Sequence, residues 1–195
     1  MSQLSCGTSR IVGCRFSIYP MSNRFVELIL GALRDTDMSK VWCHTDDVST
    51  WVRGRSEHVF DVVQSIFLHS AASGEHVALN ATFSVGCPGD TQGDAFMNTD
   101  EIRMNAEQAI PLKVAAHFAL YPLGTADYMD TIYEIIGLAK EEGTFDESAH
   151  YASRLEGDAQ RVFATLENAF NRARKSDKSH VVMTTTMSAN SPSTR

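Results

Sequence analysis

Residues 14–20 read CRFSIYP, and residues 116–122 read AHFALYP. The pair Tyr19–Pro20 thus returns 102 residues later as Tyr121–Pro122. Outward from it, EHVFDV at 57–62 returns as QRVFAT at 160–165, with Phe60 and Phe163 103 residues apart. HVALNATFSVGCP at 76–88 returns as HVVMTTTMSANSP at 180–192, with Pro88 and Pro192 104 apart. An offset that grows by one residue at a time is what loop insertions between fixed elements produce, and a period this long marks a duplicated unit. The chain therefore divides into a first repeat over 1–90, a linker over 91–112 and a second repeat over 113–195.

Each repeat reads strand, helix, strand, strand, helix, strand. Residues 10–19 and 114–121 alternate as half-buried strands do. Phe25, Leu28, Ile29 and Leu33 follow helical spacing, as do Tyr128, Ile132, Ile135 and Ile136. A second helix carries Val59, Val63, Ile66 and Phe67 behind a predicted N-cap at Ser56, and its copy carries Val162, Phe163, Leu166, Ala169 and Phe170. Hairpins fall near 41–54 and 144–156, and long final strands at 76–86 and 180–188. The fold class is α+β: two ferredoxin-like βαββαβ units in tandem, each with an antiparallel sheet. Two such units leave two helix-free faces to be covered.

Adjacent strand residues point to opposite sides, so alternation identifies those faces. Phe16 and Ile18 face the helices, leaving Arg15, Ser17 and Tyr19 open. Val77, Leu79, Ala81 and Phe83 are core, leaving Asn80, Thr82 and Ser84 open. In the second repeat the open set is His117, Ala119 and Tyr121 with Thr184, Thr186 and Ser188. Both faces combine a tyrosine with small hydrogen-bonding groups, which suits a polar heteroaromatic ligand or a wet interface. A homodimer through these faces follows. The predicted ligand set is Ser17, Tyr19, Asn80 and Thr82, then His117, Tyr121, Thr184 and Thr186, with the hairpin residues Asp46, Thr50, His150 and Ser153 added. The copies differ at Arg15 and Ser17 against His117 and Ala119, so two unequal sites are expected, the first tighter.

Twenty-four acidic against seventeen basic residues give a formal charge of −7, which argues against a nucleic-acid partner. No apolar run approaches the ~20 residues of a membrane span. MSQLSCGTSR lacks the basic and apolar regions of a secretory signal. Cys6, Cys14, Cys43 and Cys87 show neither CxxC nor zinc spacing, and read as free thiols in a cytoplasmic protein.

CGTSRI at 6–11, FSIYPM at 16–21, the hairpin residues of 45–54, HVFD at 58–61, FSVGCPGDTQGD at 83–94, HYAS at 150–153 and SANSPS at 188–193 resemble the YkoF-type thiamine/hydroxymethylpyrimidine-binding proteins. The resemblance runs in order along nearly the whole chain. It implies an ACT-like version of the tandem fold, a homodimer, and binding of thiamine through its pyrimidine end without catalysis or a further cofactor. It also implies a role in uptake or salvage of the hydroxymethylpyrimidine precursor, with a transporter as a further partner.

Sharper motif readings are weaker. PGDTQGD at 88–94 lacks the order of a phosphate loop, and its aspartates repel phosphate. Asp90, Gln92, Asp94 and Glu101 match calcium-loop positions, but Ala95 replaces the required glycine. His58 and His69 read as surface residues of a helix. His150 sits in a hairpin strand, where Ser153 and Glu147 would be its partners in an enzyme acting on a pyrimidine. A ligand-free interaction module is the other alternative. Asp46 is a candidate for the cationic end of a ligand, Asp47 a solvated turn residue, and the absence of a phosphate loop predicts little preference for thiamine diphosphate.

Overall fold

The computed structural model describes residues 11–86, 98–106, 110–123, 126–174 and 180–193. The first repeat contributes β1 (Val12–Pro20), α1 (Phe25–Arg34), β2 (Trp42–Thr45), β3 (Thr50–Gly54), α2 (Ser56–Ala71) and β4 (Val77–Val85). The second contributes β5 (Lys113–Leu123), α3 (Tyr128–Glu141), β6 (Phe145–Ala149), β7 (Ala152–Asp158), α4 (Ala159–Ala173) and β8 (His180–Ala189). This is the predicted order of elements, twice over.

The two sheets of the sequence reading are in fact one. Among the described residues the strands run β2-β3-β1-β4-β8-β5-β7-β6, all paired antiparallel. The join is the ladder between the last strands of the repeats, from Val77↔Ala189 to Val85↔Val181. A final strand left at a sheet edge presents unpaired main-chain groups. Here each final strand satisfies the other's edge, and the two open faces become one continuous surface.

The helices pack in series, α1–α2–α4–α3, over the opposite face. Alternation decides which residues they cover: Val12, Cys14, Phe16 and Ile18 of β1, Val77 to Val85 of β4 at every second position, and Val181, Met183 and Met187 of β8 are buried. Phe60 of α2 stacks on Phe83 of β4 at 4.1 Å between centroids, and Phe170 of α4 leans on both at 6.0 and 6.3 Å. The core is therefore shared between the repeats. The outer helices bury much less: α1 fully buries Ala32, and α3 Thr131, Ile135 and Ala139. Phe25 and Tyr128, which helical spacing assigns to the core, are half exposed.

Two local expectations are corrected by packing. Ser56 is not the N-cap; Arg55 holds that position, and Ser56 Oγ donates instead to Asn171 Oδ1 of α4 at 2.8 Å. The matching helix α4 does have a side-chain cap, with Asp158 accepting from the N–H groups of Gln160 and Arg161. His58 is buried rather than exposed, its Nε2 lying 2.8 Å from the Asp100 carbonyl oxygen.

Asp100 belongs to the linker segment that crosses the helix layer. Asp61 Oδ2 on α2 accepts from Met104 N, Asn105 N and Asn105 Nδ2 at 2.8–3.1 Å. Asn105 also bonds both main-chain groups of Asp37, and Arg103 forks onto the buried Glu167 of α4. Burial holds the Glu167 carboxyl above its ordinary pKa, against the lowering influence of Arg103. Since stranded buried donors cost about 1–3 kcal/mol each, Asp61→Ala is expected to lower stability by roughly 2–4 kcal/mol. Urea unfolding checks this, and an unchanged midpoint would show that the linker is not anchored there.

Candidate functional site

The open face carries most of the expected residues. Across the sheet, Ser17, Asn80, Thr186 and His117 stand in one register row, and Arg15, Thr82, Thr184 and Ala119 in the next. Ser17, Tyr19, Asn80, Thr82, Thr184 and Thr186 line a single groove of about 380 Å³. Thr184 and Thr186, expected in a separate second-repeat site, thus join the first-repeat set, because β4 pairs with β8. Their polar groups partly satisfy one another: Thr186 Oγ1 donates to Asn80 Oδ1 at 2.8 Å, and Ser17 Oγ to the Val48 carbonyl oxygen at 3.0 Å. His117 lies on the same face, between Thr186 and Arg154.

Register places the hairpin residues elsewhere. Thr50 pairs with Phe16 and Ser153 with Phe118, so both stand on the helix side of the sheet. Thr50 is buried, its hydroxyl 3.0 Å from that of Thr45. His150 is not in a strand; it occupies the exposed turn between β6 and β7, ahead of Tyr151. Of the cysteines, Cys14 and Cys43 are free, and burial pushes both thiols above their ordinary pKa, which disfavours the reactive thiolate. Cys6, Cys87 and the calcium-like residues Asp90, Gln92 and Asp94 lie outside the described residues.

A second hollow opens where Ser153 stands. The β5–β7 ladder ends at Phe118↔Ser153, while β5 continues to Leu123 beside β8. The end of β5, the first turns of α3 and the tip of the β6–β7 hairpin therefore enclose a notch of about 610 Å³. Leu120 and Pro122 line it from the helix side and Tyr121 from the open side. Tyr128, Met129, Ile132, Tyr133 and Ile136 form the helix wall, and Ser148, Tyr151, Ala152 and Ser153 the hairpin wall. Its floor is apolar, two serines stand in its wall, and the edge of β5 at Ala119–Tyr121 brings main-chain donors and acceptors to it. That composition, apolar with a few placed polar groups, is what small-molecule pockets share. Among the described lining residues there is no carboxylate, imidazole or thiol.

The strands of the first repeat end the same way. The β1–β3 ladder ends at Phe16↔Thr50, and β1 runs on to Pro20. Tyr19, Met21, Phe25, Val26, Leu30 and Val48 are exposed there, at the counterparts of Tyr121, Leu123, Tyr128, Met129, Tyr133 and Tyr151. Sequence reasoning named Tyr19 and Tyr121 but missed the others, and helical spacing assigned Phe25 and Tyr128 to the core. The signal was available in the repeat: a constant offset of 103 aligns the exposed apolar positions of the two helices and hairpin tips.

Asp46 shapes the first hairpin tip. Its Oδ1 accepts from Val48 N and Ser49 N, both at 2.8 Å, and these bonds hold its carboxyl below the ordinary aspartate pKa. A depressed native pKa means that the turn gains from the carboxylate above the unfolded value near ~3.9, and loses that gain as pH falls through the native pKa. The Val48 and Ser49 amide shifts should accordingly titrate together with a midpoint below about 3.9, and Asp46→Asn should abolish that titration in an NMR series.

Comparison with known proteins agrees with this architecture. The model of the YKOF-related family matches residues 11–90 and again 113–194. A protein of Bacillus subtilis (strain 168) named "Putative HMP/thiamine-binding protein YkoF" is 50% identical over 190 residues, covering 96% of this chain and 94% of its own length. With two matches to one family model, a relative of that identity and the tandem ferredoxin-like fold, the chain belongs to the YkoF-related family.

Proposed function

We propose that the chain is a non-catalytic binding protein for thiamine and its hydroxymethylpyrimidine moiety, with the pyrimidine seated in the second-repeat notch and, for a second molecule, at the matching place in the first repeat. The observation that carries this reading is the second-repeat notch, an apolar slot beside a strand edge, at a place where the first repeat has the same ladder ending and exposed apolar side chains. An aminopyrimidine presents an amino donor next to a ring-nitrogen acceptor. The edge of a strand offers carbonyl and N–H groups in complementary order, and Ser153 adds a hydroxyl. The faces of Tyr121 and Tyr19 provide stacking surface. A set of described lining residues without acid, imidazole or thiol supports binding rather than turnover.

The open face then has a different use. Its small polar side chains, exposed across the centre of the sheet, suit a self-complementary interface between two copies of the chain. Within a cell such a dimer would hold the vitamin or its precursor after entry, as a cytoplasmic carrier or sensor beside an uptake system.

Calorimetric titration with thiamine, hydroxymethylpyrimidine and thiamine diphosphate tests the reading. Two binding events per chain are expected, with the diphosphate within about tenfold of thiamine, since charge-assisted phosphate contacts are not built into the notch. Tyr121→Ala should weaken one event by roughly two- to tenfold, the magnitude of an aromatic contact, while Asn80→Ala and Thr82→Val leave both within twofold. Binding lost through the open-face pair instead would move the ligand to the groove. Light scattering should report a dimer of the 21.5 kDa chain, and a monomer at micromolar concentration would remove the interface.

A further inference from the structure

The first-repeat flank of the open face carries both tryptophans of the chain. Register sets Trp42 and His44 of β2 beside Arg53 and Trp51 of β3, and these beside Gly13 and Arg15 of β1. The rings form a rack: Trp42 and His44 lie 5.9 Å apart at an interplanar angle of 23°, and His44 and Trp51 5.4 Å apart. Arg53 lays its guanidinium over Trp42 at 5.5 Å. Between these side chains and the centre of the sheet opens a hollow of about 720 Å³, lined among others by Gly13, Arg15, Trp42, Trp51, Arg53 and Thr82.

Gly13 deepens the hollow without being required by packing. A side chain there would meet nothing closer than 3.9 Å. The second repeat fills the same place differently: Gly13, Trp51 and Arg53 correspond to Ala115, Arg154 and Glu156. Arg154 is held there by Asp146 and Glu156, so its charge is met within the sheet. In the first repeat no described lining residue is a carboxylate, although the chain carries a formal charge of −7. Arg15 is exposed and has no ion pair among the described residues.

We infer that this hollow binds a planar aromatic anion, a heteroaromatic ring that bears a carboxylate or a phosphate. Tryptophan faces offer stacking to any flat guest. Two guanidinium groups disfavour a cation there, and their planar forks match carboxylate or phosphate with paired N–H bonds. Stacking on Trp42 holds the fork of Arg53 in one plane before a guest arrives, and Thr82 adds a hydroxyl. The strand β2 is outermost in the sheet, so the hollow opens sideways and stays reachable when a second copy covers the central rows. It is separate from the second-repeat notch, whose described lining has no charged residue.

Both tryptophans line the hollow, so tryptophan fluorescence of the full chain reports on it. Adenosine monophosphate is compared with adenosine, and nicotinate with nicotinamide, which separates the phosphate from the carboxylate source. At least one anion should quench the fluorescence and bind roughly ten- to hundredfold more tightly than its neutral partner, as hydrogen bonds to a charged group allow. Arg15→Gln removes an exposed side chain and should cut the affinity of that anion by about tenfold while leaving the neutral partner within about twofold. Trp51→Leu should weaken both by roughly two- to tenfold, the worth of one stacking contact. Saturating thiamine should leave the anion's affinity within about twofold, as expected for separate sites. Equal affinity for anion and neutral partner in both pairs, affinity unmoved by Arg15→Gln, or no quenching by any of these probes would overturn the inference and leave thiamine binding untouched. Fluorescence that changes on dilution of the protein but with none of the probes would overturn it too, assigning the hollow to contact between copies.

Discussion

The ladder between β4 and β8 is the constraint on which the rest of the molecule depends. Each repeat alone would end its sheet in a long apolar strand with a bare edge. Pairing those edges extends the hydrogen-bonding of both sheets and brings the two helix layers into contact. The aromatic stack of Phe60, Phe83 and Phe170 forms only because α2, β4 and α4 meet at that join. The same ladder turns the open side into one surface, on which Asn80 touches Thr186 rather than waiting for a ligand of its own.

Fusion at the centre also decides where unfilled space remains. Side chains of α2 and α4 fill the middle of the helix layer, and the linker is bonded across it through Asp61 and Glu167. At the flanks, α1 and α3 bury far fewer side chains than the two central helices. There the hairpins stop pairing at Thr50 and Ser153 while β1 and β5 continue. A strand that outruns its neighbour, next to a helix that covers little, leaves a slot with an apolar wall and a polar edge. The notch is thus a consequence of unequal strand lengths in the second ferredoxin-like unit, and duplication repeats those strand lengths in the first.

Much of this was legible in the sequence, because period and parity are local properties. The Tyr-Pro and Val-Phe repeats gave the tandem plan, and alternation around Phe16 and Leu79 identified the open side chains. Parity within one strand does not say which strand lies alongside, so the placing of Thr184 and Thr186 beside Asn80 and Thr82 could not be read. Nor does a hairpin's sequence reveal its register, and one residue of register separates the helix-side positions of Thr50 and Ser153 from the open face. Helical spacing misassigned Phe25 and Tyr128, since an amphipathic stripe shows the same period whether it faces a core or a pocket. The linker contacts of Asp61, His58 and Asn105 have no period at all, and only folding brings them together.

Duplication gives the differences between the copies their meaning. Two repeats in one chain share solvent, net charge and scaffold, so a change confined to one rim is not a change of environment. Leucine against Tyr133 and valine against Tyr151 keep both positions exposed and apolar, which a purely structural role would tolerate in either direction. The added rings alter something narrower: the ring quadrupoles presented at the opening. They do so at a turn where the backbone must adopt a left-handed conformation to present one of them. Two hairpin tips that share their strand endings thus differ in backbone: among the described residues only the second takes a left-handed conformation, and there it holds an aromatic ring in water.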